Sequence, residues 1–374
     1  MSLSDTRVWR KERGLRQKPE GILFYSPNPI VLAKLKGVLH FHGLVYLEPL
    51  PNTFFVAAET SVLGRVVEQL RDSLSASQYE EVRRVLSESR TPSAEELAYA
   101  PMYFEKLDNV LALVHSRWLV KQLATDALSI AFQPLVAVDT QTCVACECLV
   151  RGDQGGIPVG AESLLSSARI LGVSHELDHS AWRSALKQGQ TLVQSGLDLF
   201  LNFTPSSVYD PQFNIQKTKH LCHEMGVDIS HLVFEVTEAE KVRDLDVLRA
   251  VMQEYRAEGA RIALDDLGSG YSSILHLADL RPDYVKLDQR LVHGAWQDEL
   301  RLVLLKAITK AAHELNIRVV AEGVETEDDL RFSVEIGADF VQGYFLARPA
   351  QSAPPISTDA IRILEQLCHQ AASR

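Results

Sequence analysis

Seven apolar segments spread over the last two-thirds of the chain each end in a polar or charged residue. In order these are Glu147, Asn202, Glu235, Asp265 with Asp266, Lys286, Glu322 and Gln342. A carboxylate at the end of an apolar segment is costly to bury unless it is paired or holds a cation. Five carboxylates brought to one place would repel one another, and divalent cations make such a site physically reasonable. Every donor in the set is an oxygen, with no Cys or His, which selects Mg²⁺ or Mn²⁺ over zinc or copper. The number of carboxylates supports two ions, and two ions a few Å apart suit in-line attack of water on a phosphodiester. Lys286 offers a different chemistry, that of a Schiff-base amine. Neighbouring carboxylates favour its charged ammonium and so disfavour that use.

The segments that must position these residues read as strands at IAFQPLVAV, CVACECLV, DLFLNF, HLVFEV, ARIALD, YVKLD, IRVVAE and DFVQGY. Amphipathic helical patterns lie between most of them, for example VLRAVMQEYRAEG and ELRLVLLKAITKAAHEL. Strand and helix alternating in this way predict an α/β fold, a (β/α)₈ TIM-like barrel with its site at the carboxyl ends of the strands. The first two strands are joined only by residues around Asp139-Thr140-Gln141-Thr142. That length suits a hairpin and predicts one antiparallel strand. Upstream, residues 21–60 read as strand, helix, strand, and residues 61–127 as helical with a capped break at Thr91-Pro92-Ser93. Leu107, Leu111, Val114 and Trp118 form an apolar stripe on the last of those helices. The expected organisation is a basic arm over 1–20, a small α+β regulatory domain over 21–120 ending in a connecting helix, and the barrel over 121–374.

The net charge of the 374 residues is −11, which argues against gripping long nucleic acid through its phosphates. No run of about 18 apolar residues occurs, so no membrane span is expected. The basic N-terminus lacks the apolar core of a signal peptide, and five cysteines, an odd number, suit a reducing compartment, taken as the cytoplasm. Two other motifs carry less. His175-Glu176-Leu177-Asp178-His179 matches HExxH, but no His, Glu or Asp follows between 180 and 197 as a third ligand. Cys143 and Cys146 form a CxxC, which strand alternation predicts to point to opposite faces.

Taken together, FQPLVAV (132–138), ECLVR (147–151), LNFTP (201–205), FEVTE (234–238), DDLGSGYSS (265–273), DYVKLD (283–288), AEGVET (321–326) and QGYFLARP (342–349) resemble the EAL family of cyclic dimeric GMP phosphodiesterases. The resemblance implies metal-dependent opening of one phosphodiester of cyclic dimeric GMP to the linear dinucleotide pGpG, in a homodimer. It implies that Glu147, Asn202, Glu235 and Asp265 hold one ion, and that Asp265 bridges to a second held with Asp266 and Glu322. Lys286 and Gln342 would orient and polarise the attacking water, with Glu322 as general base. Gln133 and Arg151 match substrate contacts, and Glu238 matches a carboxylate that braces the loop Asp266–Ser273. Cys148 stands where the family has Ala, Leu267 where Phe is usual, and Gly152 where Trp is usual. The last two departures bear on loop packing and so on rate. They keep open a receptor that binds the nucleotide without cleaving it.

Overall fold

The computed structural model describes residues 20–87, 89–107, 112, 115–204, 211–237, 245–267 and 273–372. The chain divides into two compact units, residues 1–124 with 162–174, and residues 125–161 with 175–374. In the first, strands β1 (Gly21–Tyr25), β2 (Tyr46–Leu47), β3 (Thr53–Ala57), β4 (Arg83–Ser87) and β5 (Glu105–Lys106) form an antiparallel sheet in the order β2-β3-β1-β4-β5. Helices Pro29–Phe41 and Thr60–Ser73 bury Val31, Leu35, Leu63 and Val67 with Ile22, Phe24 and Val56 of the sheet. Leu23, Phe55 and Val85 point the other way and meet Leu97, Ala100 and Phe104. Alternate residues of β1 thus serve two apolar layers, as strand geometry requires.

Strand β4 corrects the helical reading of 61–127. Its adjacent Arg83 and Arg84 look like a solvated helix face, yet Arg84 is buried and pairs in register with Phe24. The break at 91–93 is present: Ser93 and Glu96 form a reciprocal capping box that starts helix Ala94–Tyr99. Of the apolar stripe, Leu107 is buried in the first unit and Trp118 begins helix Trp118–Ala124, whereas Leu111 and Val114 lie outside the described residues.

The second unit is a closed barrel of eight strands: β6 (Ser129–Ala137), β7 (Cys143–Asp153), β9 (Asp198–Phe203), β10 (Leu232–Thr237), β11 (Arg261–Leu267), β12 (Tyr284–Leu287), β13 (Arg318–Ala321) and β14 (Phe340–Val341). A short strand β8 (Pro158–Val159) adds to the edge of β7. β6 runs antiparallel to both of its neighbours, β7 and β14, and the other barrel pairs are parallel. The hairpin reading of residues 139–142 therefore holds.

Strand alternation sorts the side chains cleanly. Leu135, Ala145, Phe200, Val233, Ala263, Tyr284 and Val320 fill the barrel interior, with Phe340 against them. Their neighbours, such as Leu199, Phe234, Ile262 and Val319, face outward into the core under the helices. Two bulges interrupt the alternation. In β7, Leu135 pairs with Ala145 but Val136 pairs with Cys143, so Val144 is an extra residue. The bulge turns Cys143 to the same outer face as Cys146, which corrects the expectation for this CxxC. All five cysteines are nonetheless unpaired.

Candidate functional site

The second bulge builds the site. In β11 the register shifts between Leu264 and Leu267, and both leucines face outward into the core under the helices. The two residues between them, Asp265 and Asp266, would occupy opposite faces in a regular strand. Here Asp266 adopts a left-handed backbone conformation, φ 58°. Aspartate tolerates that region better than most residues, and the bulge leaves both carboxylates available at the barrel mouth. One oxygen from each of Asp265, Asp266 and Glu322 lies within 4.8 Å of the others.

The remaining donors follow from the apolar interior layer by a two-residue step. Ala145 precedes Glu147, Phe200 precedes Asn202, Val233 precedes Glu235, Ala263 precedes Asp265 and Tyr284 precedes Lys286. Val320 precedes Glu322 and Phe340 precedes Gln342. On the reversed strand β6 the same step runs backward, from Leu135 to Gln133. Each strand therefore lays one polar residue directly above an apolar one.

Lys286 stands at the centre and is 1% exposed. Its Nζ lies 2.6 Å from Glu322 Oε1, 2.7 Å from Glu235 Oε1, 3.3 Å from Asp265 Oδ1 and 3.4 Å from Glu147 Oε2. Burial by itself would lower the Lys286 pKa. Asp265, Glu147, Glu235 and Glu322 reverse that and hold it well above the ordinary value, so it is a fixed ammonium. One ammonium does not neutralise four carboxylates. Glu235, fully buried and near Glu147, is pushed well above the usual carboxylate range despite Lys286. Burial, with Asp265 and Glu147, pushes Glu322 up to about 8, against the pull of Lys286. Asp266 rises to about 6 through burial, the Asp265 charge and a hydrogen bond with Asp288.

The donor set fits hard divalent cations. Glu235 Oε2 is a buried oxygen without a hydrogen-bond partner, and an unsatisfied buried carboxylate oxygen is what a cation would satisfy. Gln342 Nε2 donates to Glu147 Oε2 at 2.7 Å, while Gln342 Oε1 has no hydrogen-bond partner. Glu147, Asp265, Asp266, Lys286, Glu322 and Gln342 line a cavity of about 320 Å³ together with Gln133, Asp288, Gln289, Gly323, Glu325 and Tyr344.

Sequence reading missed Asp288, Gln289, Glu325 and Tyr344 as cavity residues. Asp288 was within reach, since it lies two residues beyond Lys286 on the same strand face. Gln289 opens helix Gln289–Val292, and Glu325 and Tyr344 sit on loops, where the strand period does not apply. Three expected residues among those described, Glu235, Asn202 and Arg151, do not line the cavity. Asn202 lies beside Glu235 in the parallel ladder, and its carbonyl accepts from Trp182 Nε1 at 2.9 Å. Arg151 is four residues beyond Glu147 on the same strand face, about 13 Å along it, and its Nη1 donates to the Val150 carbonyl. Glu238 and residues 268–272 lie outside the described residues. Leu267 is 1% exposed and pairs with Leu287.

The HExxH residues lie on helix Ser174–Gln194. Asp178 receives the backbone and hydroxyl of Thr204, and the His175 and His179 rings meet edge to face. Among the described residues, the one cluster of three or more side chains able to hold a metal is Asp265, Asp266 and Glu322.

An eight-stranded barrel with an all-oxygen acidic centre and a buried lysine defines a class of barrel proteins whose site lies at the carboxyl ends of the strands. The chain belongs to the EAL domain family, whose match covers residues 116–349. It is 38% identical over 124 residues to the bifunctional diguanylate cyclase/cyclic di-GMP phosphodiesterase MucR of Pseudomonas aeruginosa, covering 33% of this chain and 18% of that protein. It is 29% identical over 237 residues to the cyclic di-GMP phosphodiesterase NbdA of the same organism, covering 62% and 30%. Among solved structures, a standalone EAL protein from Vibrio cholerae in its c-di-GMP-bound form aligns with a TM-score of 0.55 at 29% identity. That alignment covers 62% of this chain and 97% of that one. The PaMucR phosphodiesterase in complex with c-di-GMP aligns with a TM-score of 0.57 at 26% identity, covering 64% and 97%. The chain spans well under half the length of the two Pseudomonas proteins. No helix among the described residues is long and apolar enough to cross a membrane.

Proposed function

We propose that the barrel hydrolyses one phosphodiester of cyclic dimeric GMP, giving linear pGpG, with two Mg²⁺ or Mn²⁺ ions. The observation that carries this reading is Lys286 held by four carboxylates, three of which line an open cavity with it, in a chain of the EAL family. Glu147, Asn202, Glu235 and Asp265 would hold one ion, and Asp265, Asp266 and Glu322 the other. Such ions lower the pKa of water and stabilise charge on phosphoryl oxygens.

The chain's own groups do the rest. The Lys286 ammonium can hold the attacking water and meet charge growing on the phosphate. Glu322, 2.6 Å from Lys286 Nζ, is carried forward as the general base. Gln342 uses its amide nitrogen on Glu147, which leaves its Oε1 to accept from water. Gln133 lines the cavity for substrate contact, and Arg151 offers a planar fork to a phosphate further out. Tyr344, about half exposed at the cavity with Arg348 stacked on it, offers a face to a purine. Glu238 is carried forward as the brace of the loop 266–273.

Residues 21–120 are proposed as a regulatory domain, the cytoplasm as the location, and a homodimer as the assembly. Trp296, Leu300, Val303 and Leu304 expose one apolar face suited to a second copy. The decisive experiment is incubation of purified protein with cyclic dimeric GMP and Mg²⁺ or Mn²⁺, with and without chelator, followed by chromatography. A pGpG peak that vanishes with chelator supports the proposal. Nucleotide binding without any linear product would move the chain to the receptor reading.

A further inference from the structure

We infer that the Asp329 carboxylate is a positioning group for the acidic site, tying the loop after β13 to the turn after β12. Asp329 is the third residue of helix Glu327–Glu335 and is fully buried. In a capping box that position needs to accept only the N–H of the residue before the helix. Asp329 does so, from Thr326 N at 3.0 Å, and then accepts three more. Glu325 N at 3.2 Å and His293 Nδ1 at 3.0 Å share its Oδ2, and Gly294 N donates to Oδ1 at 2.8 Å. Burial would raise its pKa, but the hydrogen bonds led by Gly294 bring it below the ordinary value, so it stays ionised.

The two segments it joins are both walls of the cavity. The loop carries Glu322, Gly323 and Glu325, and the second segment runs from Asp288 through helix Gln289–Val292 to the turn at His293 and Gly294 that Asp329 holds. They already touch on one side. Gly323 has φ 66°, and a Cβ there would stand 2.3 Å from the Gln289 Cβ. Asp329 supplies the second fastening. With both in place, Glu322 is fixed against Lys286 and Asp288 against Asp266, the distances on which an ion pair site depends.

The inference rests on the metal-dependent reading of the site, but its first test needs no turnover. Mn²⁺ binding to the full chain is measured by electron paramagnetic resonance for wild type and Asp329→Asn. Steady-state kinetics on cyclic dimeric GMP follow. The Asn side chain keeps the shape and one acceptor, but turns an amide nitrogen toward N–H donors. The expected result is Mn²⁺ affinity weakened about tenfold or more and kcat lowered about 10–100-fold, with KM within about threefold. His293→Ala should show a smaller loss in the same direction. His293→Asn, which restores an N–H donor, should return to wild type. An Asp329→Asn protein that loses thermal stability alone, with Mn²⁺ affinity and kcat unchanged, overturns the inference. Should that variant fail to fold, equal Mn²⁺ affinity in the two His293 variants overturns it. A wild type that binds Mn²⁺ but produces no pGpG sinks the phosphodiesterase reading, and the affinity comparison still decides the role of Asp329.

Discussion

The two ends of the barrel treat their carboxylates in opposite ways. At the amino ends of the strands each acid has its own partners. Asp198 takes Arg261 and His231, Asp283 takes Arg256 and the Ile262 N–H, and Asp339 takes His313 and the Val319 N–H. At the carboxyl ends four acids share one lysine, and Glu235 Oε2 has no hydrogen-bond partner. Charge at the amino ends is neutralised locally, whereas charge at the carboxyl ends is concentrated around one ammonium. The split also follows the general division of such barrels into a stabilising and a reactive face.

The contrast can be broken most sharply at Asp265. Asp265→Ala should lower turnover by about a thousandfold, while the thermal midpoint in chelator stays level or rises because repulsion is relieved. Near wild-type turnover in saturating Mg²⁺ would remove Asp265 from the ion-binding set. Arg261→Ala, at the other end, should cost about 1–3 kcal/mol in urea unfolding and leave kcat of the folded protein unchanged. A fall in kcat without a loss of stability would erase the distinction between the ends. Arg151→Ala, outside the cavity, should weaken nucleotide binding about tenfold and change the rate on bound substrate little, as read by calorimetry and single turnover.

A further effect is that of pH. Glu322 and Asp266 have folded pKa values of about 8 and about 6, above their ordinary values of 4.5 and 3.8. The folded state thus holds protons that the unfolded chain gives up, and stability falls as pH rises through that window. Melting curves in chelator should drop between pH 5 and 9, and Mg²⁺ should restore more at pH 9 than at pH 5. A flat profile in chelator would mean that these carboxyls are not strained by one another.

Most of the site is legible from the sequence for a simple reason. A strand repeats every two residues, so each polar donor follows an apolar interior residue by two, as Val233 and Glu235 do. What escapes that rule is whatever breaks the period or lies on a loop. Cys143 shares a face with Cys146 only because Val144 is inserted, which no spacing announces. Asp266 joins the site through a bulge of the same kind. Strand β4 is hidden because a buried arginine looks like a surface one until its register with Phe24 is known. Asp329 was unremarkable in sequence, a third helical residue like any other, until its four N–H donors were placed around it.

The antiparallel closure of the barrel bears on how the molecule comes to be assembled. β14 meets β6 through only two residue pairs, Phe340 with Ala137 and Val341 with Val136, which are some two hundred positions apart in the chain. Pairings so short and so distant are slow to form, because the loop entropy is lost before contacts repay it. Gln342 and Glu147 lie on the two sides of that seam, and their hydrogen bond spans it. The oxygen set is therefore complete only when the last join is made. A chain still folding, or one opened at the seam by proteolysis, holds the site only in fragments.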